Sequence, residues 1–191
     1  MDPLLDDPKM ESLVETYGEL ELEPAENPYE RLVISVANQQ LSTESAGAIV
    51  ERLLQNFDVT PGSMLEAEES ELREIGFSSS KIRYIKNAAE AFRKRDFTRE
   101  GMNELTDEEV IGQLTDIKGI GPWTAKMYLM FVLGRKDIFP VEDLGIRKGF
   151  ELVYGEATRS EMIQKAKDWS PLRSIASLYL WKVKRNEKSS S

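Results

Sequence analysis

Leu114-Thr115-Asp116-Ile117-Lys118-Gly119-Ile120-Gly121-Pro122-Trp123-Thr124-Ala125 holds the turn around which the chain organises itself. Thr106, with Glu109 three residues on, opens a helix in capping-box fashion, and that helix runs to about Leu114. A Gly-X-Gly hairpin follows. Pro122 then opens a second helix, at the position where a missing N–H costs nothing. Glycine tolerates positive φ and close backbone approach. The first amides of the new helix have no intrahelical partner and carry the positive end of its dipole. Such a place binds a phosphate without needing Lys or Arg. Taken alone, Gly119-Ile120-Gly121 describes a ligand-free helical hairpin equally well.

Outward from the hairpin, the chain predicts helices throughout. Asn27-Pro28-Tyr29-Glu30 places an N-cap, a Pro at the first helical position and a Glu at the third. Ser63 with Glu66 and Thr158 with Glu161 repeat the capping-box spacing, and Ser170-Pro171 reads as a cap followed by Pro. Apolar residues at helical spacing follow these starts: Leu32 and Val36, Ile49 and Leu53, Ile175 with Leu178 and Tyr179. Gly76, Gly134 and Gly155 fall where helices should stop. No alternating β-branched run bounded by tight turns is present. The expected architecture is all-α, with roughly ten short helices in two lobes.

Composition removes several chemistries. The chain has 191 residues, with no Cys and no His. Disulfides, thiolate nucleophiles, zinc–thiolate sites and an iron–sulfur cluster are therefore excluded, as are imidazole bases and Ser-His-Asp triads. Any catalysis falls to carboxylates, Lys, Tyr, Ser/Thr or backbone groups. The net charge of −9 argues at first against a nucleic-acid partner. The charge is polarised, however: residues 1–80 carry −14 and residues 81–191 carry +5. A cationic face in the second half is compatible with that split, and so is a merely solvated surface. No apolar run is long enough to span a bilayer, and Met1–Met10 lacks the features of a signal peptide.

Beyond the hairpin comes Phe139-Pro140-Val141-Glu142-Asp143-Leu144-Gly145-Ile146-Arg147-Lys148-Gly149. It places an acidic pair at the start of another helix, where a carboxylate by itself reads as a cap.

The hairpin, followed by a Pro-containing turn and an Asp, resembles the helix-hairpin-helix, Gly-Pro-Asp (HhH-GPD) superfamily of DNA glycosylases, and within it the 3-methyladenine DNA glycosylase II branch. The likeness runs from Asn27 to Lys182. Asn38-Gln39-Gln40-Leu41-Ser42 is similar to the branch's Gln-Gln-Leu-Ser segment, with Asn38 where a Gly is usual. The stretch from Leu72 to Ala88, with Gly76, Ser78, Lys81, Tyr84 and Lys86, resembles its Gly-x-Ser-x-x-Lys motif. Trp169-Ser170-Pro171-Leu172-Arg173-Ser174, running on to Trp181, resembles its final helix.

The resemblance implies a two-lobed helical fold with its active-site cleft between the lobes and no N-terminal sheet domain. Residues 1–26 would be an extension packed on the core, residues 27–185 the glycosylase core, and residues 186–191 a frayed tail. Asp143, rather than Glu142, matches the catalytic aspartate. Trp123 and Trp181 match aromatic positions lining a pocket for the flipped base, although either is also readable as core; Trp169 reads as core. Gln39, Gln40 and Leu41 match the wedge that fills the gap left by that base, the alternative being that the glutamines cap their helix and bridge to its neighbour. Gly119, Gly121 and Thr124 match phosphate-binding amides, with Lys118, Arg147 and Lys148 as further phosphate contacts. The carbonyls of Thr115, Ile117 and Ile120 match a site for Na+ or K+. Relatives that also nick the strand carry a Lys where this chain has Trp123. Lys126, one turn further on, points to a different face and is not expected to replace it.

The implied activity is monofunctional excision of alkylated purines from double-stranded DNA, with no cofactor required for the chemistry. A monomer, cytoplasmic and nucleoid-associated in a bacterial or archaeal source, is expected, with no membrane partner. A non-catalytic helix-hairpin-helix DNA-binding module and a glycosylase for deaminated or oxidised bases are the alternatives.

Overall fold

The computed structural model describes residues 3–41 and 43–189. Among the described residues twelve α-helices occur in order: α1 (Pro8–Tyr17), α2 (Pro28–Asn38), α3 (Thr43–Asn56), α4 (Pro61–Glu66), α5 (Glu69–Ile75), α6 (Ser79–Lys94), α7 (Arg99–Met102), α8 (Asp107–Thr115), α9 (Pro122–Phe131), α10 (Leu144–Tyr154), α11 (Arg159–Ala166) and α12 (Arg173–Ser189). A single 3-10 turn covers Lys167–Trp169, and there is no strand among the described residues. The all-α architecture expected from the caps and spacing is the one observed. No helix among the described residues is long and apolar enough to cross a membrane.

The chain forms two compact units, residues 25–133 and residues 3–24 with 134–189. In the first, α2 packs against α3, α6 and α9, α4 and α5 pack on α6, and α8 pairs with α9. Leu32, Val33 and Val36 of α2, Ile82 and Ile85 of α6, and Leu129 of α9 are buried there. In the second, α10 lies along α12, and α1 also packs on α12. Its core brings together Met10, Phe139, Ile146, Phe150, Trp169, Tyr179 and Leu180.

Local chemistry sets most of the boundaries. Asn27 accepts from the Glu30 N–H at the start of α2, and Thr106 and Thr158 form complete capping boxes with Glu109 and Glu161. Two expected starts differ. Ser63 lies inside α4, because Thr60 caps that helix one residue before Pro61. Ser170 does not open α12: it ends the 3-10 turn, its peptide bond to Pro171 is cis, its hydroxyl donates to Asp137 at 2.8 Å, and α12 begins at Arg173. At the other end α12 continues to Ser189 as one helix, so residues 186–189 of the expected tail are helical, and residues 190–191 lie outside the described residues.

Asp7 fastens α1 within its unit. It caps the helix, pairs with Lys165 at 2.8 Å, and accepts from Tyr154 Oη at 2.8 Å and Trp169 Nε1 at 3.1 Å. Trp169 is fully buried, the core position expected for it. Burial on its own would raise the Asp7 carboxyl. The donors from Lys165, Trp169, Tyr154 and the Lys9 backbone outweigh burial and draw it down to about 2.

Candidate active site

Asp143 is the N-cap of α10. Its Oδ1 accepts the Ile146 backbone N–H at 2.8 Å and the Trp181 indole N–H at 2.8 Å. One donor comes from its own helix and the other from α12, so the carboxylate is held from two directions. The approach of these helices depends on glycine. A Cβ at Gly149 would lie 2.1 Å from the Leu180 carbonyl oxygen, so only glycine lets the two backbones meet here. A Cβ at Gly145 would lie 3.0 Å from both Asp143 Oδ1 and the Trp181 ring. The spacing Gly145-x-x-x-Gly149 was the available signal for this crossing, and sequence reasoning gave it no role.

The segment leading to Asp143 is fixed from α12 as well. Arg173 grips Asp137 through two bonds, Nε at 2.7 Å and Nη2 at 3.0 Å. Burial raises the Asp137 carboxyl, but the bonds from Arg173 and Ser170 more than offset it and hold the group below the usual carboxylate range. Ser174, fully buried, accepts the Ile138 N–H at 2.9 Å and donates to the Arg135 carbonyl at 2.7 Å. The Trp-Ser-Pro-Leu-Arg-Ser motif therefore brackets residues 135–138, just upstream of the aspartate. Arg147 acts in a similar way, since its Nη1 donates to the carbonyls of Val141 at 3.1 Å and Glu142 at 2.7 Å. The side chain expected on a phosphate thus ties down the turn carrying Asp143. Lys148, expected on a phosphate too, pairs with Glu151 at 2.8 Å on the exposed side of α10.

In the other unit, the hairpin runs from the end of α8 to the start of α9. The Ile117 carbonyl accepts the Ile120 N–H at 2.9 Å, closing the turn. Gly119 has φ 105, and a Cβ there would fall 2.0 Å from the Tyr84 ring. Gly121 differs: its φ is −97, nothing lies within 4 Å of an added Cβ, and it serves as the N-cap of α9 with no side chain capping the helix start. Positive φ is therefore needed at the first glycine alone. Lys118 is exposed, Trp123 is half-buried at the second position of α9, and Thr124 is buried. The Thr115 hydroxyl donates back to the Ile111 carbonyl at 2.8 Å.

The three wedge candidates separate. The Gln39 amide donates to the Gly119 carbonyl at 3.1 Å and to Thr124 Oγ1 at 3.0 Å, which is the bridging alternative for that residue. Gln40 is exposed at φ 57, the one described non-glycine residue with positive φ. Leu41 is 42% exposed.

A helix-hairpin-helix element in one unit and an aspartate-capped helix in the other define a recognisable class, and comparison bears this out. The chain belongs to the HhH-GPD superfamily of base excision DNA repair proteins, whose family profile matches residues 33–172. Among its relatives, DNA-3-methyladenine glycosylase 1 of Schizosaccharomyces pombe is 36% identical over 166 residues, covering 83% of this chain and 73% of that protein. Among solved structures, an S. pombe 3-methyladenine DNA glycosylase in complex with abasic DNA aligns with a TM-score of 0.85 at 34% identity, covering 92% of this chain and 91% of that one. A DNA-3-methyladenine glycosidase from Bacillus halodurans aligns with a TM-score of 0.79 at 34% identity, covering 98% and 89%.

Proposed function

We propose that the chain is a monofunctional DNA glycosylase that hydrolyses the N-glycosidic bond of alkylated purines in duplex DNA and leaves an abasic site. The observation that carries this reading is the Asp143 carboxylate at the start of α10, fixed by the Ile146 amide and the Trp181 indole. Breaking the bond builds positive charge on the sugar, and a pre-fixed anion stabilises an oxocarbenium-like transition state. The same carboxylate orients the attacking water. An alkylated purine already carries positive charge and departs as a neutral base, so a histidine-free chain needs no general acid for this leaving group. Trp123, in place of the lysine that resemblance associates with strand nicking, supports hydrolysis without a Schiff base.

The named relatives support 3-methyladenine as a lesion, to which the reading adds the cationic 7-methylguanine, and the complex of one neighbour with abasic DNA supports a DNA partner. The hairpin would hold a phosphate through the amides at the start of α9. For a monovalent cation, the carbonyls of Thr115, Ile117 and Ile120 have suitable hard-oxygen chemistry. Ile117 already spends one lone pair on the Ile120 N–H and keeps the other. Such an ion would help attract the phosphate and takes no part in bond cleavage. A monomer needing no cofactor completes the reading.

The test is a panel of duplexes bearing 7-methylguanine, 3-methyladenine and hypoxanthine, scored separately for released base and for strand breaks. Release without breaks is expected. Asp143→Asn should lower release by about 10³-fold while retaining affinity for an abasic-site duplex. A variant that releases base at the wild-type rate removes Asp143 from the chemistry. A wild-type chain that binds duplex yet releases nothing is a DNA-binding module.

A further inference from the structure

Two elements of the 25–133 unit, the turn that carries the wedge candidates and the hairpin proposed to hold a phosphate, are joined by Gln39 and by side chains of α6. The first is the exposed turn at Gln40 and Leu41, following α2. The second is the hairpin at 117–121. The Gln39 amide has two N–H donors, and both are used: one on the Gly119 carbonyl at 3.1 Å, one on Thr124 Oγ1 at 3.0 Å. A carbonyl can only accept, so the nitrogen end of this amide must face the hairpin.

One face of α6 completes the junction. Lys81, Tyr84 and Asn87 recur at intervals of three, so they lie along one side of that helix. Lys81 Nζ donates to the Ala37 carbonyl at 2.7 Å, near the end of α2 and just before the exposed turn. The Tyr84 ring occupies the space a Cβ would need at Gly119, at 2.0 Å, and so backs the hairpin at its tightest point. Asn87 Nδ2 donates to the Lys118 carbonyl at 3.0 Å. Gln40 itself sits at φ 57, a left-handed conformation that persists in a non-glycine residue where the surroundings over-determine it.

We propose that Gln39, Lys81, Tyr84 and Asn87 are positioning residues that lock the Gln40–Leu41 turn to the hairpin, so that the hairpin's hold on a DNA phosphate sets where the turn enters the duplex. The inference rests on the proposed DNA reading of both elements but not on base excision itself. None of the four touches the sugar or base in this scheme; they act through the two elements they join. Independent elements would contribute independently to DNA affinity. Locked elements would not, because the turn is presented correctly only while the hairpin is engaged.

A double-mutant cycle decides between these, read as the Kd of the full chain for a duplex carrying a tetrahydrofuran abasic-site analogue. The variants are Gln39→Leu, Gln40→Ala and their combination. Each single change should weaken binding by about tenfold, and the double should be little worse than either single, the non-additivity typical of coupled residues. Asn87→Ala gives a second arm with a smaller structural cost, and it should likewise shrink the effect of Gln40→Ala. Multiplying effects in both arms overturn the proposal, as does a Gln40→Ala change that has no effect in any background. Because abasic duplex binding needs no chemistry, a chain that binds it with the expected coupling but releases no base would refute the glycosylase reading and leave this inference standing.

Discussion

Trp181 Nε1 and the Ile146 backbone N–H converge on a single oxygen of Asp143, each at 2.8 Å. The indole N–H therefore aims the carboxylate. Phenylalanine at this position keeps an aromatic ring and loses the donor. Trp181→Phe should lower the single-turnover rate of base release by about 10–100-fold, the scale of misplacing one reacting group, with abasic-duplex affinity within about threefold of wild type. An unchanged rate would show that the α10 amide alone suffices to orient Asp143.

The crossing of α10 on α12 should be equally intolerant of bulk. A Cβ at Gly149 meets the Leu180 backbone at 2.1 Å, and neither partner is the movable end of a side chain. Gly149→Ala should therefore destabilise the fold by about 1–3 kcal/mol, measured by urea unfolding. Since Leu180 precedes Trp181, the same change should slow base release beyond what partial unfolding explains. A fully stable, fully active Gly149→Ala would mean that the helices separate at no cost to the Asp143–Trp181 contact.

What could be read from the sequence had local causes. The caps at Asn27, Thr106 and Thr158 each involve residues within three positions of one another, and the cap that a carboxylate at Asp143 suggests is equally local, since it accepts from the Ile146 N–H. What escaped depended on distant partners. Gln39 was open to two readings, a wedge with Gln40 or a bridge to a neighbouring helix, and what decides is a pair of bonds to Gly119 and Thr124, some eighty residues away. Nearer in sequence, Arg147, expected as a phosphate contact, donates its Nη1 to the carbonyls of Val141 and Glu142, a use that its charge alone does not indicate. Ser170-Pro171 matches the cap-and-proline pattern in one dimension, but the Ser170 hydroxyl is taken by the Asp137 carboxylate and the helix starts later, at Arg173.

The Asp7 cluster gives the fold an acid limit. Its carboxyl sits at about 2 when folded, below the ordinary value of 3.8. A depressed carboxylate stabilises the protein fully above its unfolded value, and that contribution fades as pH falls from about 4 toward 2. At pH 7 the shift corresponds to about 2 kcal/mol. Asp7→Asn should therefore lower stability by about that amount at neutral pH, and the gap to wild type should close as pH falls through that window. Urea melts at pH 7 and pH 2.5 check both statements. A gap that stays constant across the window would locate the effect in lost hydrogen bonds rather than in charge.

The two hairpin glycines offer a test that separates folding from DNA contact. Gly119 combines φ 105 with the Tyr84 ring at 2.0 Å from any Cβ, so Gly119→Ala must both strain the backbone and displace a half-buried aromatic. It should cost about 2 kcal/mol or more. Gly121 has φ −97 and no atom within 4 Å of an added methyl, so Gly121→Ala can fold with a loss of about 1 kcal/mol or less, from the weaker N-cap. If a phosphate docks on the first amides of α9, that methyl stands where the phosphate must approach. Gly121→Ala should then weaken abasic-duplex binding by about tenfold, roughly the value of one charge-assisted hydrogen bond, while its melting temperature stays within a few degrees of wild type. Wild-type affinity for Gly121→Ala would move the phosphate away from the hairpin, whatever became of Gly119→Ala.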